Sequence, residues 1–122
     1  MGSISLNATD DYGRTAFHVT CYMYNTEMAK LILDFSKENG KIDLNARDDN
    51  GETAFQVACA IFSIKIVKMI LENWKEFDID ITNKNIEGQT ALDILRGHDI
   101  DRLNELITML EEEYLKIDAE IT

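Results

Sequence analysis

Apolar and polar positions repeat three times along the chain in nearly the same order. The copies are YGRTAFHVTCYMYNTEMAKLIL at 12–33, NGETAFQVACAIFSIKIVKMIL at 50–71 and EGQTALDILRGHDIDRLNELIT at 87–108. They align without gaps on Gly13, Gly51 and Gly88, which are 38 and 37 residues apart. A period of this size is typical of a repeat array, in which each unit buries its apolar face against its neighbours.

Each copy is predicted to contain a tight turn followed by two helices. The turn consists of Asp or Asn, two variable residues and Gly, because Gly tolerates a positive φ. A threonine two residues later is placed to cap a short first helix: Thr15, Thr53 and Thr90. The second helix has apolar residues at a period of 3.6. These sets are Met28, Leu31, Ile32 and Phe35; Ile66, Met69, Ile70 and Trp74; and Leu103, Leu106, Ile107 and Leu110.

The three turn-and-threonine boxes resemble the ankyrin repeat, a turn followed by two antiparallel helices. The residues that carry the resemblance are DDYGRTAFHV at 10–19, DDNGETAFQVA at 48–58 and NIEGQTAL at 85–92. The resemblance implies an all-α solenoid of helix-turn-helix repeats joined by short β-hairpin turns. It implies a single domain over 1–122, with repeats near 7–44, 45–81 and 82–118. It also implies that His18 is structural and hydrogen-bonds the backbone of the adjoining hairpin.

The sequence departs from the family pattern at two places in each copy. Alanine stands where the family has the proline of its box, at Ala16, Ala54 and Ala91. The usual Gly-His between the two helices is replaced by Tyr24-Asn25, Phe62-Ser63 and Asp99-Ile100. The period is also longer than the usual 33 residues. We therefore expect the second helix, or the loop that leaves it, to carry the extra residues.

The two ends of the array are predicted to differ. The segment EEEYLKIDAEIT at 111–122 is strongly charged and is predicted to form an acidic C-terminal cap. Only MGSISL precedes the first turn, so the apolar side of the first copy has no evident cover. Either the chain is the C-terminal piece of a longer array, or this side meets another molecule, which includes a homo-oligomer. A designed or reconstructed scaffold without a natural ligand is a further alternative.

Charge restricts the classes of partner. The chain has 23 acidic and 12 basic residues and a formal net charge of -11. Nucleic acids and anionic membranes present phosphates, which Lys and Arg neutralise, so neither is an expected partner. No apolar run approaches the length of a membrane span, about 20 residues. A protein with a basic or neutral surface is the expected partner.

The residues capable of chemistry are interpreted as parts of the scaffold. Cys21 and Cys59 occupy equivalent small positions and are predicted to be reduced, buried thiols, which indicates a cytoplasmic protein. His18 and Cys21 are too few for a metal site, and Asp78 begins a segment that fails the calcium-loop template. No nucleophile with a positioned base is evident. We therefore predict no enzyme activity, no metal and no cofactor.

The predicted function is non-catalytic protein–protein interaction. In the ankyrin family the turn tips and the exposed ends of the first helices make a concave binding face. Carried onto this sequence, the protein-binding residues are Asp11, Tyr12, Arg14, Tyr22, Met23, Asp49, Asn50, Glu52, Ala60, Ile61, Ile86, Glu87, Gln89 and His98. This set combines aromatic and apolar residues with acids, a composition typical of protein-binding surfaces.

Overall fold

A computed structural model describes residues 6–39, 42–97 and 104–121, and within them every regular element is a helix. The repeat boundaries remain predictions, whereas the all-α repeat solenoid is confirmed. Three short helices alternate with three longer ones. The helices are α1 (Ala16–Tyr22), α2 (Thr26–Asn39), α3 (Ala54–Ala60), α4 (Ile64–Asn73), α5 (Ala91–Arg96) and α6 (Asn104–Ile121).

A threonine caps the start of each short helix, as predicted. The side chains of Thr15, Thr53 and Thr90 accept hydrogen bonds from the backbone N–H three residues later. The side chains at those later positions accept from the threonine N–H in return, which completes a capping box. The residues that close the boxes are His18, Gln56 and Asp93. Two otherwise unpaired amides are satisfied at each helix start.

The turns before these helices are hairpin-shaped, but no β-strand forms in the described residues. In the second turn, Asp48 N–H donates to Glu52 O at 2.9 Å, and Gly51 N–H donates to Asp48 O at 2.9 Å. The Asp48 carboxylate accepts from the N–H groups of Asn50 and Glu52. The side-chain oxygens of Asp10 and Asn85 accept the equivalent N–H bonds in the first and third turns. These local bonds hold each tip in one conformation.

The core lies between the stacked repeats. Helix α3 packs between α1 and α5, and α4 packs against α2 and α6. Phe55 of α3 is 1% exposed, and Ile66 and Ile70 of α4 are completely buried. Cys21 and Cys59 are also completely buried, which confirms their prediction as core thiols.

Two side chains donate hydrogen bonds to backbone carbonyl groups of the following repeat. Thr15 N–H donates to His18 Nδ1 at 3.1 Å, so this nitrogen carries no proton and Nε2 carries it. Nε2 then donates to Glu52 O at 2.8 Å, which confirms the structural role predicted for His18. Gln56 Nε2 donates to Asn83 O at 2.7 Å and to Gln89 O at 3.3 Å, and so bridges the second and third repeats in the same way.

The long helices form the other side of the array. Helix α2 has 14 residues, and α4 has 10 before an irregular exit that continues to Asp78. The long α2 and the exit turn after α4 lie where the extra residues of the long period are predicted. Trp74 Nε1 donates to Glu113 of α6 at 3.0 Å. Among the described residues, no helix is both long enough and apolar enough to cross a membrane.

Candidate protein-binding site

The three turn tips lie side by side and are joined by backbone hydrogen bonds. Asp49 N–H donates to Tyr12 O at 3.0 Å, and Ile86 N–H donates to Asn50 O at 3.3 Å. The tips therefore form one row that is anchored at both junctions. We call this row, together with the C-terminal ends of α1 and α3, the turn face. It brings together the described residues that the sequence predicted as binding residues.

An arginine organises the first tip. The Arg14 Nε–H group donates to Asp10 Oδ2 at 2.8 Å. The Arg14 guanidinium also lies over two rings, 4.8 Å from the centroid of Tyr12 and 5.5 Å from that of Tyr22. Such cation–π contacts hold the aromatic side chains in defined positions. The first tip therefore presents a preorganised aromatic surface, which loses little side-chain entropy on binding.

A hollow lies between each pair of neighbouring tips. The first has a volume of about 190 Å³ and is lined by Tyr12, Arg14, Tyr22, Asp48, Asp49 and Asn50. The second has a volume of about 250 Å³ and is lined by Asn50, Glu52, Asn85, Ile86, Glu87 and Gln89. Each is large enough for one side chain of a partner. The two hollows give the turn face a repeat of shallow sites instead of one deep cavity.

Carboxylates line both hollows of the turn face: Asp48, Asp49, Glu52 and Glu87. Burial raises the pKa of Glu52, and the neighbouring carboxylates of Asp48 and Glu87 raise it further. Burial also raises the pKa of Tyr22, to which the negative charges of Glu52 and Asp48 contribute. Both shifts indicate that a negative charge is disfavoured here. A positively charged group of a partner would relieve this repulsion.

The other predicted site residues differ in accessibility. Met23 and Ile86 are exposed, as are Asp11, Asp49, Asn50 and Glu87. Ala60 and Ile61, at the end of α3, are only partly exposed, and Ile61 packs against the core. Gln89 is partly buried and accepts a hydrogen bond from Asn85 Nδ2 at 3.1 Å. His98 lies outside the described residues.

The sequence prediction did not include Tyr24, which lies beside Met23 at the edge of the turn face. Tyr24 is exposed, and its hydroxyl donates to Ile61 O at 2.7 Å. Its φ is 54°, and Phe62, its counterpart in the second repeat, has a φ of 62°. Glycine adopts this region without strain, and the family usually has glycine there. The absence of the family's usual glycine at this position was the sequence signal that could have drawn attention to Tyr24 as a residue at the edge of the turn face.

The side chains that could carry chemistry are enclosed in the scaffold. Burial raises the pKa of the Cys21 thiol to about 12. Burial also raises the pKa of Cys59, with a further contribution from Cys21. A thiol needs a depressed pKa to be a reactive nucleophile, so neither cysteine is suited to that role. In the part of the chain that the structure describes, no three His, Cys, Asp or Glu residues are grouped to hold a metal ion.

Comparison with known proteins agrees with this architecture. A family model described as ankyrin repeats (3 copies) matches residues 2–85, more than half of the chain. The chain belongs to the ankyrin repeat family. Ankyrin repeats generally mediate protein–protein interaction and are generally non-catalytic. The match ends before the third threonine box, although α5 packs against α3 and α6 packs against α4 beyond it. A search of curated proteins found none that matches.

Replacing Glu52 by Gln is expected to stabilise this ankyrin array at neutral pH. A raised pKa in the folded state means that the ionised carboxylate opposes folding. The stability associated with protonated Glu52 is present at low pH and is lost as the pH rises through the folded pKa, above its ordinary value of 4.5. We expect Glu52→Gln to gain roughly 0.5 kcal/mol at pH 7, because the site is partly solvated.

Urea denaturation at neutral pH and at a pH below 4.5 would measure this gain. The gain should shrink in acid, where Glu52 is protonated and resembles glutamine. Glu112→Gln, a change at an exposed position of α6, removes the same charge and controls for the general effect of net charge. An equal gain in both variants, or a gain that does not depend on pH, would contradict the prediction.

Proposed function

We propose that the protein is a non-catalytic interaction module whose turn face binds a protein segment rich in lysine or arginine. The observation that carries the proposal is the set of carboxylates that line the two hollows: Asp48 and Asp49 in the first, and Glu52 and Glu87 in the second. Lys and Arg side chains are long enough to enter such hollows and carry the complementary charge. Opposite charge also accelerates the encounter of two proteins.

Apolar residues beside the hollows supply the rest of the proposed contact. Tyr12, Met23 and Ile86 are exposed, and each belongs to the turn face or its edge. Aromatic side chains and methionine are enriched in the centres of protein interfaces, where they exclude water from nearby polar contacts. A partner segment that alternates cationic and apolar side chains fits this arrangement.

A display library of random peptides tests the proposal, because it samples many side-chain combinations and can be screened before any partner is identified. Peptides selected on the immobilised protein should be enriched in Lys and Arg, and their binding should weaken as salt is raised. The triple variant Tyr12→Ala, Met23→Ala, Ile86→Ala should lose at least about tenfold in affinity. Its melting temperature should change little, because these side chains are exposed.

Leu115→Ala provides the matched control, because Leu115 is an exposed apolar residue of α6, away from the turn face. It should bind the selected peptides as well as the original protein does. Selection of peptides without basic enrichment would overturn the proposed partner chemistry. Binding that survives the triple variant would overturn the assignment to the turn face.

A further inference from the structure

Apolar side chains of the first repeat are open to solvent at positions that are covered in the second. Val19 is 40% exposed, whereas Val57 at the equivalent position is 1% exposed. Met28 is likewise exposed, and its counterpart Ile66 is completely buried. The first repeat stacks on the second and covers these positions there. We call the uncovered set the open face: Val19, Met28, Leu31 and Phe35.

The α2 part of the open face is a stripe about two helical turns long. Met28, Leu31 and Phe35 are spaced by three and four residues and so lie along one side of the helix. This is the spacing by which one helix packs against another. Ala29 and Ile32 lie to one side of the stripe and are buried in the core.

An acidic row borders the stripe on its other side. Glu27 and Asp34 precede Met28 and Phe35 by one residue, and Glu38 continues the row. A helix turns about 100° per residue, which places all three carboxylates along the solvent edge of the stripe. All three residues are exposed, and none forms an ion pair with the described part of the chain.

We propose that the open face binds an amphipathic helix of a partner protein whose apolar side is bordered by lysine or arginine. Met28, Leu31 and Phe35 would meet the apolar side of that helix, in the way that amphipathic helices dock with anchors at i, i+3, i+4 and i+7. Its basic border would lie against Glu27, Asp34 and Glu38. The proposed contacts lie on α2, which is not part of the turn face, and they do not depend on the function proposed for that face.

The same charges oppose a second copy of this chain as the occupant. In an antiparallel two-fold pair of α2 helices, the same border of each helix faces its copy, so the acidic row would meet itself. Each copy also carries a formal net charge of -11, which adds general repulsion. A helix with a basic border is attracted to the acidic row, and its positive charge also favours its approach to a chain with a net negative charge.

Binding of a labelled synthetic helix by the full chain tests the proposal. The probe is a peptide of about five helical turns, with leucines at i, i+3, i+4 and i+7 positions and lysines on the flanks. A control peptide has glutamate in place of lysine, and a second control has the same composition with the leucines scrambled. Fluorescence anisotropy should detect binding of the lysine peptide alone, and this binding should weaken as salt is raised.

Two matched variants locate the binding. Leu31 is 62% exposed and Leu115 is 68% exposed, so Leu31→Asp and Leu115→Asp make the same change at similarly open helix positions. Leu31→Asp should weaken binding by at least about tenfold, and Leu115→Asp should leave it unchanged. The double reversal Glu27→Lys, Asp34→Lys should weaken binding of the lysine peptide and improve binding of the glutamate peptide.

Three results would overturn the proposal. Undiminished binding in both Leu31→Asp and Leu115→Asp would mean unspecific attraction to an acidic protein. Loss in the turn-face triple variant, with binding retained in Leu31→Asp, would assign the peptide to the turn face. Sedimentation that reveals a dimer, which Leu31→Asp dissociates, would assign the open face to a second copy.

Discussion

Phe55→Ala is expected to destabilise the protein by about 3–5 kcal/mol, the usual range for removing a buried phenylalanine. Phe55 is 1% exposed and belongs to α3, which packs against both α1 and α5. The cavity would therefore lie in the central repeat, where both interfaces of the array meet. Domains of this size are stable by only about 5–15 kcal/mol, so the loss would be a large share of the total.

The control for this prediction is another phenylalanine of the same protein. Phe35 is 48% exposed on the open face, so Phe35→Ala should destabilise the fold by no more than about 1 kcal/mol. Urea denaturation followed by circular dichroism would measure both variants. Similar losses for Phe35 and Phe55 would mean that a partner or a second copy already covers the open face under the conditions used.

Gly51→Ala is expected to destabilise the array more than Gly88→Ala does. Both glycines have a positive φ, 71° and 79°, so an alanine at either position carries a similar strain of about 1–2 kcal/mol. The surroundings differ. A Cβ on Gly51 would lie 2.7 Å from Ile86 Cγ2 and 2.9 Å from Ile86 N, whereas a Cβ on Gly88 would meet nothing within 4 Å.

The difference in unfolding free energy between the two variants reports how closely the second and third turns approach each other. We expect Gly51→Ala to cost about 1–3 kcal/mol more than Gly88→Ala, because a backbone atom must move to accept the new carbon. Denaturant midpoints of the two variants provide the comparison. Equal losses would contradict the tip-to-tip contact, in which Ile86 N–H donates to Asn50 O at 3.3 Å.

The two glycines also illustrate how far a sequence can be interpreted. A repeated D-x-x-G box predicts a positive φ at Gly13, Gly51 and Gly88, since the turn is a local property of four or five residues. It cannot reveal that Gly51 lies against Ile86 while Gly88 faces open space. That distinction arises from the stacking of one turn on the next.

For the candidate site too, the sequence predicted local positions but not the contacts between elements. Register within the repeat identified the turn tips, because equivalent positions of a stacked array lie on the same side. Two features required the structure: the Arg14 guanidinium over Tyr12 and Tyr22, and the crowding of acids around Glu52. Both depend on distances between side chains from different elements, which spacing along the chain does not specify.

The sequence by itself determined the three repeats, the threonine caps, the buried thiols and the ankyrin family, because each follows from short periodic patterns and local hydrogen bonds. Only the tertiary structure decided which apolar residues are covered. Val19 and Val57 stand at the same place in equivalent helices, yet one is 40% exposed and the other 1%. Burial depends on a neighbouring repeat: α3 contacts both α1 and α5, whereas the main contacts of α1 within the described residues are with α2 and α3.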